Sequence, residues 1–417
     1  MNEFSFLALG LLLARLAAQW WLDRLNAQHT RARAADFNEA WPGNADPAAV
    51  ARATDYTLAK LKLGQWERAG DFVLLVVILF SGLLPWAWRQ FTGTFGDSAW
   101  ASAAFLFACG LVLALPGLPF SWYTQFRLEE RFGFNRSTGK LWVTDRLKGL
   151  LLALLLGVPL LALLLKLADW TGTWWWLGAG ALVVLVQMAM TILAPRFILP
   201  LFNQLSPLPE GPLRNRLLAL CRKTGFHSRN LLVMDGSRRS RHSNAFFTGF
   251  GRWRIIVLFD TLIQQLDESE LEAVLAHEIG HYKQGHIPAL LLLSTASTLV
   301  VFALLGWLGR QTWFFAAFGF PNPSLAVAML LFALVGGAFS FWAAPLLNAV
   351  SRRFEYQADA FAAQAVGGPG PLISALRRLH EKNLSNLAPH PLYSAFHYSH
   401  PTLQEREKAI SSGRFGR

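Results

Sequence analysis

Apolar residues along this chain fall into seven long runs, and the stretches between them are polar and rich in Lys and Arg. The runs cover about residues 4–22, 72–88, 99–120, 150–167, 174–193, 287–308 and 325–350. A helix of ~20 apolar residues, rising ~1.5 Å per residue, crosses the ~30 Å hydrocarbon layer of a bilayer. Each run is therefore predicted to be a transmembrane helix, the first weakened by Arg15. Between the first two lies an amphipathic stretch over 23–70, with a Pro/Gly/Asn loop (WPGNADP) and a helical segment reaching Arg68.

The longest polar interval, 195–286, carries a different pattern. NLLVM (Asn230 to Met234) and RIIVLF (Arg254 to Phe259) are short β-rich runs. Asn244 to Thr248, between them, reads either as an edge strand or as one arm of a plain hairpin. An edge strand beside a catalytic helix holds an extended peptide by backbone pairing, which makes Asn244, Ala245 and Phe246 candidate substrate-binding residues. Leu213 to Thr224 has the pattern of a basic amphipathic helix. Near the end of the chain Gly367-Gly368-Pro369 closes one helix, and Ile373 to Glu381 opens another.

Charge fixes an orientation for the seven runs. Basic residues crowd the 23–70 loop, the 121–148 loop, the 195–286 interval and the tail after 351, whereas the alternate loops hold only Arg89, Lys166 and Arg310. Lys and Arg gather on the cytoplasmic side of a membrane protein, so the N-terminus is expected outside and the C-terminus in the cytoplasm. The net charge of +12 is thus read as membrane sidedness and contact with anionic lipid, and no nucleic-acid partner is expected. Composition agrees with a membrane protein: 53% hydrophobic and 15% charged residues, with mean hydropathy +0.32. Cys109 and Cys221 form no disulfide framework and no metal cluster. The leading segment lacks a basic start and a small-residue cleavage site, and is read as a retained membrane segment.

The candidate chemistry lies in LEAVLAHEIGHYKQGH, residues 271 to 286. His277, Glu278 and His281 spell H-E-x-x-H. On a helix the two histidines share one face and reach a single Zn²⁺, with the glutamate beside a metal-held water as general base. Asp267 and Glu270 provide an N-terminal capping box for that helix. Ala276 and Gly280 are small and let another backbone approach. A third ligand is available in Glu355, with Asp359 one turn later in position to orient a ligating histidine. The competing reading of these two carboxylates is a solvated face paired with Arg352 and Arg353. Two His and one carboxylate with an open fourth position form a hydrolytic zinc set, one ion per chain. Both halves of this set fall at the cytoplasmic ends of the sixth and seventh runs.

HEIGH at 277–281, FEYQADAFA at 354–362, SNAFFTGFG at 243–251, FHYSHPTLQER at 396–406 and FRLEERFGFNRST at 126–138 together resemble the integral-membrane zinc endopeptidases of the CAAX prenyl protease, a-factor-converting type. The last match is absent from the shorter heat-shock membrane proteases that share the H-E-x-x-H and E-x-x-x-D elements. The resemblance implies zinc ligands at His277, His281 and Glu355, and a general base at Glu278. It places Asn244 on a substrate strand. It puts His400 and Arg406 near the zinc, stabilising the oxyanion or holding the substrate backbone; the competing role for His400 is that of a cap neighbour before Pro401. His242, His286, His390 and His397 match no ligand position, and His286 is expected to point off the ligand face toward the interface.

The expected fold class is an all-α membrane protein of seven transmembrane helices with a cytoplasmic zincin-like α+β metalloprotease domain. Residues 1–204 form the membrane domain with five spans, and 205–417 the peptidase domain with spans six and seven. The expected activity is hydrolysis of peptide or protein substrates near their C-terminus, with lipid-modified, CAAX-type substrates as one form and the bilayer as a second partner. Two other readings stand beside it. One is a quality-control protease of membrane proteins, which gains if the Ala/Leu/Arg/Trp-rich usage marks a bacterial inner membrane. The other is a channel or scaffold with a structural zinc, which would need four protein ligands where three are found.

Overall fold

The computed structural model describes residues 2–35, 46–226, 230–248 and 254–413. Residues 41–45 of the WPGNADP loop and 249–251 of the SNAFFTGFG stretch lie outside them. Long helices dominate. Glu3–Ala35, Gly139–Phe202, His286–Leu308 and Leu325–Ala365 are each long and apolar enough to cross a membrane. Two bent pairs add to these: Pro47–Phe80 with Leu83–Phe95, turned by 60°, and Ala99–Ala114 with Gly117–Arg131, turned by 44°. The described residues thus contain four such helices, or six if each bent pair is one span, where seven were expected.

The difference has a local cause. The fourth and fifth apolar runs share one 64-residue helical stretch, too long for a single crossing. Gly172 interrupts it at φ +55°, a left-handed value that a residue with a Cβ adopts only with strain. A Cβ built at Gly178 would lie 3.9 Å from Leu167 Cδ2, so the two arms on either side of Gly172 pack together.

The apolar helices share one core, centred on Ala8, Leu12, Leu79, Phe314, Phe315 and Leu331. Their outer faces remain apolar as well: Leu292 is 72% and Leu346 73% exposed, as lipid-facing positions require. Charged side chains turn inward. Asp23, fully buried, pairs with Arg68. Arg15 lines a cavity of about 330 Å³ with Gln19, Arg68 and Asp71. Its guanidinium lies so close to Gly337 that any Cβ there would collide with it at 2.7 Å. An arginine within an apolar run is accommodated because it faces this internal space.

The second core is built on a small mixed sheet. Strands β1 (Leu205–Pro207), β2 (Asn230–Met234), β3 (Ala245–Thr248) and β4 (Ile255–Phe259) lie in the order β1-β2-β4-β3. β2 and β4 run parallel, with Leu232 opposite Val257, and β3 returns antiparallel with Phe246 opposite Val257. The hairpin and the edge strand, posed as alternatives for Asn244 to Thr248, are therefore one object: β3 folds back on β4 and forms the sheet's edge. β1, a three-residue strand ending in proline, has no visible sequence pattern. Ile256 and Leu258 from the sheet pack with Leu217 and Leu220 of the Pro212–Lys223 helix and with Leu271, Leu275 and Ile279 of the Glu268–Lys283 helix. The predicted capping box is present: Asp267 accepts from the Glu270 amide, and Glu270 accepts from the Asp267 amide.

Candidate metal centre

Two helices cross to make the site. Glu268–Lys283 carries His277, Glu278 and His281, and Ala344–Ala365 carries Glu355, Gln357 and Asp359. They approach closely because of Gly280, where a Cβ would lie 3.0 Å from both the Cα and the carbonyl oxygen of Ala358. Ala276 and Ala358 are fully buried at the same crossing. Small residues bring the backbones together, and the side chains one turn away on each helix then converge.

Three donor side chains meet there. His277 Nε2 and His281 Nε2 are 3.2 Å apart. Glu355 presents Oε2 at 3.4 Å from His277 Nε2 and Oε1 at 3.3 Å from His281 Nε2. Donors held tetrahedrally at zinc distances of ~2.0–2.1 Å are separated by ~3.3–3.4 Å, and the separations among these side chains have that length. Among the described residues these three form the group suited to hold a metal ion. Glu355 Oε2 is buried without a hydrogen bond of proper geometry, an orphan that a cation satisfies.

Each histidine is held from behind. His277 Nδ1 lies 2.9 Å from Asp359 Oδ1. Asp359, fully buried, is gripped in turn by Arg406, through Nε to Oδ2 at 2.8 Å and Nη2 to Oδ1 at 2.5 Å. Burial disfavours the charged form of His277, but the Asp359 and Glu355 carboxylates outweigh it and raise the group to about 9. The pocket around the imidazole thus favours positive charge. Burial also pushes the Glu278 carboxyl up, against the pull of His277 and His281.

Arg406 was expected to stabilise an oxyanion or hold substrate. Its guanidinium is instead committed to Asp359, and its nearest approach to Glu355 is 4.0 Å. His400 is more open: its side chain is 65% exposed, with Nδ1 2.8 Å from Glu355 Oε2. Arg352 bonds the carbonyls of Ser394 and Tyr398, so the competing ion pair between it and Glu355 or Asp359 does not form.

His286 departs furthest from expectation. It is 1% exposed, its Nδ1 is 3.0 Å from His281 Nδ1, and its Nε2 is 2.7 Å from Gln357 Oε1. A five-residue step along one helix is a turn of about 140° off the ligand face. The helix ends at Lys283, however, and Gly285 at φ +73° turns the chain so that His286 opens the next helix beneath His281.

A cavity of about 880 Å³ lies beside the site, with Asn244, His400 and Arg406 on its wall. Ala245 and Phe246, predicted alongside Asn244, do not line it; the Phe246 ring packs toward Phe259. What β3 presents is the unpaired backbone of a sheet edge, among the described residues. The same cavity wall holds Tyr56, Glu129 and His242. Glu129 accepts from the Tyr56 hydroxyl at 2.6 Å and lies 3.1 Å from His242 Nε2. His242 Nδ1 lies 3.3 Å from Asn383 Oδ1, and its ring stacks on Phe134 at 4.0 Å. The 126–138 motif therefore braces the chain two residues before Asn244. Proximity of this kind, between residues far apart in sequence, leaves no trace in spacing.

The family model described as CAAX prenyl protease N-terminal, five membrane helices, matches residues 26–204, and the model for peptidase family M48 matches residues 207–413. CAAX prenyl protease 1 of Saccharomyces cerevisiae is 36% identical over 387 residues, covering 86% of this chain and 85% of the yeast protein. The Homo sapiens homologue is 31% identical over 403 residues, covering 86% and 85%. The crystal structure of S. mikatae Ste24p superposes with a TM-score of 0.89 at 32% identity, covering 98% of this chain and 99% of that one.

The crossing predicts the effect of one methyl group. Gly280→Ala should force the helices apart, destabilise the chain by about 1–3 kcal/mol and lower bound zinc. Thermal unfolding and metal analysis of the purified protein check this, and an unaltered melting temperature would refute the close-packing argument.

Proposed function

The chain belongs to peptidase family M48, in its CAAX prenyl protease branch, and is an integral-membrane zinc metalloprotease; on that premise we propose that His277, His281 and Glu355 hold the zinc and Glu278 is the general base. The observation that carries this is the convergence of His277 Nε2, His281 Nε2 and the Glu355 carboxylate to separations of 3.2–3.4 Å, beside the cavity that Asn244, His400 and Arg406 line. When bound, zinc acidifies the water it holds and polarises the scissile carbonyl. Glu278 takes the proton from the attacking water, keeps it within the site and returns it to the leaving amine. The edge of β3 from Asn244 onward pairs with the backbone of an extended substrate. Exposed His400 is the side chain best placed to donate to the developing oxyanion. Asp359, gripped by Arg406, fixes the His277 ring.

In this reading the chain crosses the membrane seven times. Each bent pair is one span, and the arms on either side of Gly172 are two. Residues 1–204 are the membrane domain, and 205–417 the peptidase domain with the last two spans. The N-terminus lies outside and the zinc site on the cytoplasmic side, in what the residue usage suggests is a bacterial inner membrane. The substrate is a membrane-associated peptide cut near its C-terminus, and the relatives' names give the prenylated CAAX form. The comparisons do not favour the quality-control and structural-zinc readings.

Glu278→Gln should keep zinc and lose turnover by a factor on the order of 10² or more. His281→Ala and Glu355→Ala should lose the metal. Metal analysis beside a cleavage assay checks both, and near-normal cleavage by Glu278→Gln would remove the glutamate from its role. A quenched peptide should be cut faster with a farnesyl group than without. Equal rates would mean the anchor is not read, and cleavage of unfolded membrane-protein fragments alone would favour quality control. In a chain freed of Cys109 and Cys221, a membrane-impermeant maleimide should label Arg310→Cys from outside and leave Lys140→Cys unlabelled until the membrane is opened. The reverse pattern would invert the topology.

A further inference from the structure

We infer that His286 is a positioning residue for His281, fixing through one hydrogen bond the tautomer and ring angle with which His281 meets zinc, and thereby setting the site's zinc affinity. The inference rests on the reading of His281 as a zinc ligand. His281 directs Nε2 at the donor triangle and leaves Nδ1 facing away, 3.0 Å from His286 Nδ1. A neutral imidazole carries one proton. If Nε2 binds the ion, the proton is on Nδ1, and Nδ1–H donates to His286 Nδ1. His286 then carries its own proton on Nε2, where Gln357 Oε1 accepts it at 2.7 Å. This assignment uses both nitrogens of a side chain that is only 1% exposed.

The surroundings hold that ring in place. His286 stacks on Phe354 with centroids 4.3 Å apart and planes within 12°. Gly285, at φ +73°, supplies the left-handed turn that returns the chain beneath His281. Gln357 stands two residues after Glu355 on the same helix, so the relay ties the second histidine to the element that supplies the carboxylate ligand. His277 is anchored on that helix too, by Asp359. The two supports differ in charge. Asp359 is a carboxylate neutralised by Arg406, whereas His286 supports its partner without adding another anion beside Glu278 and Glu355.

The test separates the hydrogen bond from the packing, using full-length protein purified in detergent. His286→Phe keeps an aromatic ring against Phe354 and removes the acceptor. His286→Asn keeps an acceptor close to the Nδ1 position and removes the ring. Competition with a zinc chelator should show affinity falling about 10- to 100-fold in His286→Phe and staying within a few-fold of wild type in His286→Asn. Circular dichroism of the zinc-stripped proteins establishes that both variants fold. Wild-type affinity in His286→Phe, or equal loss in both variants, would overturn the inference. His281→Ala is the control for the premise: if it loses zinc while His286→Phe binds normally, only the relay fails. If His281→Ala keeps zinc, the ligand assignment fails with it.

Discussion

The site depends on how closely two helices cross at Gly280 and Ala358. A side chain at 280 would meet backbone at 3.0 Å, so nothing larger than hydrogen fits without movement. That contact sets the distance across which every donor and every support must reach. His277 meets Asp359, both histidines meet Glu355, and His281 reaches Gln357 through His286. The Ala344–Ala365 helix thus offers one candidate ligand and, two and four residues later, the anchors for the other two. A shift of even ~1 Å in the crossing would spoil all of these contacts together, because each is a short bond of fixed direction.

What the sequence revealed followed from local rules. H-E-x-x-H works by the four-residue repeat of a helix, and the helix was announced by its capping box. Glu355 and Asp359 were paired by the same repeat, and the apolar runs marked the long helices. What stayed hidden lay where a repeat stops. His286 was placed off the ligand face by extending a helix that ends at Lys283. The break at Gly172 was legible as the gap between the fourth and fifth apolar runs, whereas the bend after Phe80 falls inside one uniform run and composition does not register it. Arg406 was brought to the site by resemblance alone, and its bidentate grip on Asp359 is a tertiary contact over 47 residues that no spacing encodes.

Burying this much charge needs a counter-ion. Asp359 and Arg406 neutralise each other in close bidentate contact, the geometry in which a buried pair recovers most of its desolvation cost. Glu355 has no bidentate arginine: its partners are His277, His281 and His400, and Arg406 stays 4.0 Å away. The imidazoles favour the charged form of this carboxylate, and one of its oxygens, buried without a hydrogen bond, faces the centre where a divalent cation would bind.

The stretch matched by the N-terminal family model, residues 26–204, is joined to this chemistry by more than chain continuity. Arg239 pairs bidentately with Asp145 and bonds Asn203 as well. Backbone bonds run from Arg136 to Arg239 and from Arg241 to Phe134, an isolated β-type bridge between the two halves. Glu129, Tyr56 and Phe134 then enclose His242, directly before the strand edge that begins at Asn244. A strand edge binds an extended chain only if its own backbone is held still, since every slackness is lost as ordering entropy on binding. The 126–138 segment supplies that restraint from outside the peptidase fold. The large cavity, with walls from Asn26 and Lys60 in the first half to His400 in the last, is accordingly a product of both halves.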